Sequence, residues 1–178
     1  MNQSFLKKKG NLIINQIVPY EFSDSFDQKY QYKWITDVEK LEYLKIRNAP
    51  NVLPNMRDSS EISVEQHNQF LSEYGKIERL DLIIKTKTDD TLIGGAVLSK
   101  THHGWEIGKF IGNSSYLGKG LSYPMMSNFL NFLETEFAEI STIISITKIL
   151  NKKNIRINEK LGFSIVDKVD KEYLRMVR

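Results

Sequence analysis

Two glycines, Gly118 and Gly120, stand between a strand-like segment and a long amphipathic helix. Pro124 is compatible with that helix because it falls in the first turn, where no intrahelical donor is required. A helix N-terminus preceded by glycines presents free backbone N–H groups and a partial positive charge, so it can hold a phosphate. The same glycines also suit a plain connection. The helix is indicated by apolar residues at helical spacing: Leu121, Met125, Phe129, Phe132, Leu133 and Phe137.

Ionisable side chains precede the glycines and offer acid–base chemistry. Glu106 is the first candidate for a general base. His103 is the second, because histidine often acts as a general acid or base, although a histidine also suits a hairpin turn. The pair His102 and His103 does not predict a metal site, because neighbours on an extended strand point to opposite faces and no cysteine completes a ligand set.

Residues 105–112 predict a strand with two unlike faces. One face carries Glu106, Phe110 and two glycines, which leaves space along it, whereas the other carries apolar residues that suit a core. Lys109 falls among the core-facing positions. A β-bulge near Lys109 would explain this, since a bulge shifts the alternation of every residue after it. The sequence therefore predicts a bulge in this strand.

The composition is that of a single globular domain. A chain of 178 residues with 40% hydrophobic and 26% charged residues can bury a sizeable core. The absence of cysteine excludes disulfides and thiolate nucleophiles. No apolar run reaches the ~18 residues of a membrane span or forms a signal-peptide core, so we expect a cytoplasmic protein without a membrane partner. The net charge of +3 comes from 25 basic residues interleaved with 22 acids, which argues against a nucleic-acid surface.

The N-terminal segment predicts an arm followed by the first strand of the sheet. Residues 1–27 are a polar arm, and the apolar run at residues 11–18 suits either an added edge strand or an ordered tail. Residues 28–35 alternate aromatic and polar side chains, which is typical of a half-buried strand.

Two helices are predicted next. Asp37 can cap the first, which ends near Asn48 and is expected to bury Val38, Leu41 and Leu44. Ser63 and Gln66 form a capping box for the second, and Gly75 would end it in a left-handed conformation.

The rest of the chain predicts strands around two further helices. Residues 80–86, 92–100 and 105–111 are strand-like and separated by short polar turns, so they suit antiparallel hairpins. Residues 140–149 are β-branched and suit a buried strand. A short helix capped by Asn151 follows, and two more strand-like runs occupy 163–169 and 171–177. The order predicts a mixed sheet with helices on its faces.

Two segments together resemble the GNAT superfamily of acyl-CoA N-acyltransferases. The first, LGKGLS at residues 117–122, is similar to the family's pyrophosphate loop Arg/Gln-x-x-Gly-x-Gly/Ala, with Leu117 and Ser122 in place of its first and last residues. The second, NKKNIRINEKLGF at residues 151–163, is similar to the family's late helix and turn. With the order of elements, the resemblance covers residues 28–178 as one acyltransferase domain.

The resemblance implies an α/β (α+β) fold, a mixed and mostly antiparallel sheet that splays open, with helices on both faces. It implies acetyl-CoA as acyl donor, no metal, and direct attack of a primary amine on the thioester in a ternary complex. A homodimer is compatible with it. The residues implied in acetyl-CoA binding are Phe110, Ile111, Gly112, Leu117, Gly118, Lys119, Gly120, Leu121, Ser122, Asn151 and Asn154.

The resemblance also assigns catalytic positions. Glu106 would face the acceptor and act as base, and backbone N–H groups at Phe110 to Gly112 would receive the oxyanion. Asn158 stands where many members carry a tyrosine that protonates the CoA sulfur, but an amide is not an acid. Tyr116 and Tyr123 are alternative proton donors.

The acceptor is a small amine-bearing molecule whose identity stays open. Residues 46–70 resemble the acceptor side of enzymes that acetylate nucleotide-linked amino sugars, and also that of enzymes acting on protein N-termini. Arg47, Asn48 and Met56, with Arg57, could line that pocket. An enzyme that acetylates protein N-termini, such as those of ribosomal proteins, is one alternative. A non-catalytic acyl-CoA-binding regulatory module is another, because the tyrosine and two loop residues are replaced.

Overall fold

The computed structural model describes residues 3–15 and 20–178, which contain five α-helices and one sheet of eight strands. The helices are α1 (Gln3–Asn15), α2 (Lys40–Arg47), α3 (Val64–Glu73), α4 (Ser122–Glu136) and α5 (Lys152–Lys160). The strands are β1 (Glu21–Ser23), β2 (Lys29–Trp34), β3 (Arg79–Thr86), β4 (Leu92–Thr101), β5 (Gly104–Ile111), β6 (Ile143–Lys148), β7 (Ser164–Lys168) and β8 (Tyr173–Val177).

The sheet is antiparallel except at one central pair, where it opens. Its order is β1-β2-β3-β4-β5-β6-β8-β7, and β5 lies parallel to β6. That parallel pairing covers only Trp105 and Glu106 of β5 opposite Ile143 and Ile144 of β6. Beyond these residues the two strands separate and leave a gap. The mixed, mostly antiparallel and splayed sheet with helices on both faces confirms the predicted fold class.

Two clusters of buried side chains cover the two faces of the sheet. On one face, α4 packs Met125, Phe129 and Phe132 against the strands, and α5 adds Ile155. On the other face, α2 contributes Tyr43 to a smaller cluster that includes the residues Val52, Ile83, Leu92 and Phe110. Alternation along each strand produces this division, because successive side chains point to opposite faces.

The N-terminal segment is a helix, where the sequence favoured an edge strand or an ordered tail. Phe5 of α1 packs against Trp105 and Phe137, with ring centroids 4.6 and 5.2 Å away. Lys9 is buried, and its Nζ donates to the backbone oxygens of Tyr74 (2.7 Å) and Ile77 (2.9 Å). Residues 11–15 of the apolar run belong to α1, and residues 16–18 lie outside the described residues. These contacts are all distant in sequence, so local pattern could not predict them.

Helix α2 begins later than predicted, and a different face is buried. It starts at Lys40 without a side-chain cap, so Asp37 does not cap it. Val38 and Leu41 are exposed, whereas Tyr43 and Leu44 are buried. The position of Tyr43 next to Phe110, with ring centroids 5.5 Å apart, determines which face turns inward.

Helix α3 begins as predicted and ends differently. Both hydrogen bonds of the Ser63–Gln66 capping box are present. Gly75 does not adopt a positive φ but lies in a 3-10 turn, Tyr74–Lys76. That turn directs Tyr74 into the protein, where its hydroxyl accepts a hydrogen bond from the N–H of Asp81 at 2.6 Å.

The predicted bulge in β5 is wrong. Strand β5 pairs with β4 in unbroken register from Gly94 opposite Ile111 to Thr101 opposite Gly104. Lys109 therefore keeps its place by simple alternation on the face of α4 and α5. A lysine is accommodated there because β5 and β6 have already separated at this point, so the side chain enters the gap instead of the core.

Candidate active site

A cleft of about 800 Å³ lies where β5 and β6 separate. It receives side chains from both faces of the sheet, so it connects the N-terminus of α4 with the region around α2. Of the residues predicted from sequence, eleven line it: Arg47, Met56, Arg57, Glu106, Phe110, Ile111, Leu117, Ser122, Asn151, Asn154 and Asn158. Gly112, Gly118, Lys119, Gly120, Leu121 and Asn48 do not line it.

The N-terminus of α4 is open at one end of the cleft. Gly118 and Gly120 have φ values of +78° and +73°, a left-handed conformation that glycine adopts without strain. Leu121 occupies the N-cap position and gives no side-chain hydrogen bond, whereas α3 and α5 are capped by Ser63 and Asn151. The first backbone N–H groups of α4 therefore remain available to an anion. Leu117 and Ser122 flank this turn and line the cleft.

Backbone N–H groups of β5 also face the gap, but not all those that the sequence suggested. The N–H of Gly112 donates to the Ile93 oxygen of β4 at 2.9 Å. Because N–H directions alternate along an antiparallel strand, the N–H of Phe110 also points to β4, while those of Lys109 and Ile111 point to the gap. Of the three N–H groups that the sequence suggested as oxyanion donors, those of Phe110 and Gly112 are thus directed to β4, and that of Ile111 faces the gap, as does that of Lys109.

Glu106 lies on the α2 face of β5 and lines the cleft. Its Oε1 accepts a hydrogen bond from the Arg57 Nη2 at 2.6 Å, and its side chain is 15% exposed. Its Oε2 is buried and has no hydrogen-bond partner among the described residues. A buried carboxylate oxygen without a donor is costly, and one that borders a cleft can accept a proton or hydrogen bond from a bound molecule.

Lys109 lies on the face of β5 opposite to that of Glu106, and its side chain enters the gap between β5 and β6. Its Nζ donates to Asn154 Oδ1 of α5 at 2.5 Å, and burial lowers its pKa from 10.5 to about 8. Asn154 Nδ2 in turn donates to Thr147 Oγ1 at 2.9 Å. The cleft wall therefore carries a lysine whose hydrogen-bond acceptor is an amide, not a carboxylate.

Asn158 belongs to the same polar network and is turned toward β6. It is buried, and its Nδ2 donates to Ser145 Oγ at 2.9 Å and to Thr147 Oγ1 at 3.2 Å. These bonds engage its amide donors in the wall of the cleft. An asparagine held in this way can orient the wall but has no acidic proton to give.

Replacing Lys109 by methionine is expected to raise the free energy of unfolding at pH 7 by about 1 kcal/mol, because a partly desolvated charge is removed at the cost of one hydrogen bond. Below pH 8, the folded and unfolded chains both hold the lysine proton, so the penalty is fully present. Between about pH 8 and 10.5 the folded chain loses the lysine proton before the unfolded chain does, so the wild-type free energy of unfolding rises with pH. The stability difference between Lys109→Met and the wild type therefore becomes smaller. Urea unfolding at pH 7 and pH 10 measures this.

The control for that measurement is Lys160→Met, which removes an exposed lysine near the end of α5. We expect it to change stability by less than ~0.5 kcal/mol at either pH. A Lys109→Met variant less stable than the wild type at pH 7 would contradict the proposed desolvation penalty.

The acceptor-side residues predicted from sequence divide into two groups. Arg47, Met56 and Arg57 line the cleft. Asn48 instead connects the end of α2 to the segment before α3. Its Nδ2 donates to the Ile62 oxygen (2.8 Å), and its Oδ1 accepts from the Ile62 N–H (3.1 Å). The close approach of α2 to β5 also needs Gly112, because a Cβ there would collide with the carbonyl of Ile46.

Residues 51–57, here called the bridging loop, connect the two walls of the cleft. Asn51 Nδ2 donates to the Ile111 oxygen of β5 at 2.8 Å. From the other wall, Lys148 Nζ donates to the oxygen of Pro54 (2.6 Å) and Asn151 Nδ2 to Oδ1 of Asn55 (3.2 Å). The loop therefore spans the gap between β5 and the β6–α5 side.

Other candidates from the sequence lie away from the cleft. His103 is in the turn between β4 and β5, and Tyr116 lies beneath Lys119, whose Nζ is 4.4 Å from its ring centroid. Tyr123 is 44% exposed. None of these three lines the cleft. His67 is buried between Tyr43 and Phe70 as a packing residue.

Sequence reasoning missed many of the residues that line the cleft, among them Asn51 and Tyr173. Asn51 follows Pro50 in a segment without periodicity, and Tyr173 opens the last strand beside Lys148. The only available signal was a polar residue near a proline or an aromatic residue at a strand end, and neither is specific.

Residues 3–15 and 20–178 contain no helix long and apolar enough to cross a membrane. They also contain no group of three or more histidine, aspartate or glutamate side chains placed to hold a metal ion.

The fold of the chain is similar to those of several solved structures. No curated protein matches the sequence significantly. A domain from Methanocaldococcus jannaschii superposes with a TM-score of 0.73 at 21% identity, over 85% of this chain and 99% of that one. Spermidine N-acetyltransferase from Vibrio cholerae, solved with CoA and spermine, gives 0.73 at 14% identity, over 84% and 94%. Ribosomal-protein-S5-alanine acetyltransferase from Vibrio fischeri gives 0.68 at 15%, over 84% and 92%. At these identities the structures show the fold alone.

The family is shown by the sequence itself. Residues 30–164 match the model of the acetyltransferase (GNAT) domain, which is more than half of the chain. The matched range includes the open N-terminus of α4, the splayed strands β5 and β6, and helix α5. The chain therefore belongs to the GNAT acetyltransferases and is an acyl-CoA-dependent N-acetyltransferase that uses acetyl-CoA.

Proposed function

We propose that the protein transfers the acetyl group of acetyl-CoA directly to the primary amine of a small acceptor in a ternary complex. The observation that carries this proposal is the single cleft that joins the uncapped N-terminus of α4 to the acceptor side at α2 through the gap between β5 and β6. A phosphate at α4 and an amine at Glu106 would then belong to two molecules that meet in this gap. Without cysteine, no thioester can form on the enzyme.

The two faces of β5 support a division of the proton transfers. Glu106 lies on the α2 face, and Lys109 lies on the α5 face, because the two positions differ in parity. The amine would approach from the Glu106 side, and Glu106 would take its proton directly or through water. The carbonyl oxygen would receive hydrogen bonds from the N–H groups of Lys109 and Ile111 as negative charge develops.

Lys109 is the group we assign to the CoA sulfur in place of Asn158. When the carbon–sulfur bond breaks, the sulfur keeps the electron pair and needs a proton. The pKa of Lys109 is about 8, close to the ~8.5 of a thiol, so a proton can pass between them with little cost. Under this assignment, Lys109→Met lowers turnover although it stabilises the fold.

The acceptor is the open part of the function, and we propose a nucleotide-linked amino sugar as the first class to test. The support is the resemblance of residues 46–70 to that branch and the presence of Arg47 and Met56 in the cleft. Release of free CoA thiol should be measured with acetyl-CoA and a panel of nucleotide-linked amino sugars, free amino sugars, polyamines and N-terminal peptides. Turnover with the first class and little with the others is the expected result.

The same panel separates the alternatives. Preferential acetylation of peptides would identify an N-terminal acetyltransferase. Tight acetyl-CoA binding without thiol release from any acceptor would support a non-catalytic acyl-CoA-binding module and would overturn the proposed reaction.

A further inference from the structure

Three arginines line the acceptor half of the cleft: Arg47, Arg57 and Arg79. Two of them are neutralised by carboxylates. Arg57 Nη2 lies 2.6 Å from Glu106 Oε1, and Arg79 holds both oxygens of the buried Asp81, through Nε at 2.7 Å and Nη2 at 2.9 Å.

Arg47 differs from the other two arginines. Within residues 3–15 and 20–178 it makes no ion pair, and its Nη1 is buried with no hydrogen-bond partner. Burial lowers the pKa of its guanidinium from the ordinary value, but an arginine remains charged at neutral pH. The exposed Asp58 lines the same cleft and attracts Arg47 electrostatically, but it makes no direct ion pair with it, and its Oδ1 accepts from the backbone N–H of Ser60 at 2.9 Å.

The position of Arg47 explains where this charge points. It is the last residue of α2, one helical turn after Tyr43, so both side chains lie on the face that meets the cleft. Tyr43 packs on Phe110 of β5, and Glu106 lies four residues before Phe110 on the same face of that strand. A molecule whose amine reaches Glu106 thus has the Arg47 guanidinium in the same cleft.

A half-buried guanidinium without a direct ion pair is unfavourable in the free protein, and an anion bound in the cleft would relieve that cost. Arginine is suited to this task because its planar fork can bind phosphate or carboxylate with two hydrogen bonds. A polyamine carries only positive charge and would be repelled by Arg47. On these grounds, and resting on the proposed function, we propose that Arg47 binds an anionic group of the acceptor, which is therefore an amine that also carries a phosphate or a carboxylate.

The test uses matched pairs of amines as probes for calorimetric titration of the full chain. Glucosamine 6-phosphate is compared with glucosamine, and glycine with glycinamide, at constant ionic strength. We expect an anionic member of at least one pair to bind more tightly by about 10-fold or more, as hydrogen bonds to a charged group imply. The phosphate and carboxylate pairs distinguish the two kinds of anion.

Two variants connect such a preference to Arg47. Arg47→Met should abolish it, while Arg47→Lys, which keeps the charge but not the fork, should retain part of it. Arg47→Met is expected to fold, because Arg47 makes no ion pair in the described chain whose loss would unfold it. Arg156→Gln, which removes an exposed arginine on α5, is the matched control and should bind as the wild type does.

The outcomes separate this inference from the proposed function. Equal binding within both pairs, or no binding by any of the four probes, would overturn the inference, as would a preference that survives in Arg47→Met. Thiol release measured in parallel tests the reaction on its own. Anion-selective binding without thiol release would overturn the proposed function and leave the Arg47 assignment in place.

Discussion

Replacing Gly120 by aspartate is expected to weaken acetyl-CoA binding by at least ~100-fold and to leave the fold intact. At an effective dielectric of ~20, a carboxylate ~4 Å from a phosphate costs about 4 kcal/mol, more than enough for this loss. The side chain has space, because a Cβ at Gly120 meets no atom within 4 Å. Aspartate also tolerates the left-handed φ of +73° better than most residues. Titration calorimetry with acetyl-CoA measures the change.

Two controls separate charge from backbone strain. Gly120→Ala introduces the backbone strain without the carboxylate, and this strain should lower the free energy of unfolding by about 1–2 kcal/mol at most. Gly104→Asp places the same carboxylate on a glycine with φ +121° and no atom within 4 Å of its Cβ, in the β4–β5 turn outside the cleft. Acetyl-CoA affinity should be unchanged there. Wild-type affinity in Gly120→Asp would remove α4 as the phosphate site.

Replacing Glu106 by glutamine is expected to lower the turnover number by about 10²–10³-fold, the range that a positioned general base contributes. Glutamine keeps the shape of the side chain and an oxygen that can still accept from Arg57, but it cannot take a proton from the amine. Steady-state thiol-release kinetics with an active acceptor, at saturating acetyl-CoA and one fixed pH, measure the decrease.

Two controls test whether the lower turnover of Glu106→Gln reflects the loss of a base: its affinity for acetyl-CoA, and the turnover of a variant that loses an exposed carboxylate. Acetyl-CoA affinity should be unchanged in Glu106→Gln, since Glu106 lies on the face of β5 away from α4. Glu73→Gln, which alters an exposed carboxylate at the end of α3, should turn over like the wild type. If Glu106→Gln keeps its turnover number with an active acceptor, the base is another group or water.

The elements with strong local signals were predictable from the sequence. The turns between β3, β4 and β5 produced the two hairpins, and the Ser63–Gln66 capping box and the Asn151 cap formed as their residue types require. In these cases the groups that stabilise the element are close in sequence. The glycine turn before α4 belongs to the same class, because its φ values depend on the glycines themselves.

The remaining features depend on contacts between distant segments. Helix α1 is held by Phe5 and Lys9 against residues more than 60 positions away, so its own sequence suggested an arm. Lys109 looked like an interruption of a core face because the strand pattern does not reveal where β6 departs from β5. Asn51 lies in an aperiodic loop that only the folded chain brings to Ile111.

Because the bridging loop is hydrogen-bonded to both walls of the cleft, the position of the loop depends on the distance between the walls. It is fastened to β5 through Asn51 and to the opposite wall through Lys148 and Asn151. A hydrogen bond ends when donor and acceptor lie more than ~3.5 Å apart, so the walls can move apart by less than ~1 Å before a contact on one side breaks. The loop must then follow one wall and leave the other. A spectroscopic label on residues 51–57 would therefore report on the separation of β5 and β6 without a label on either strand.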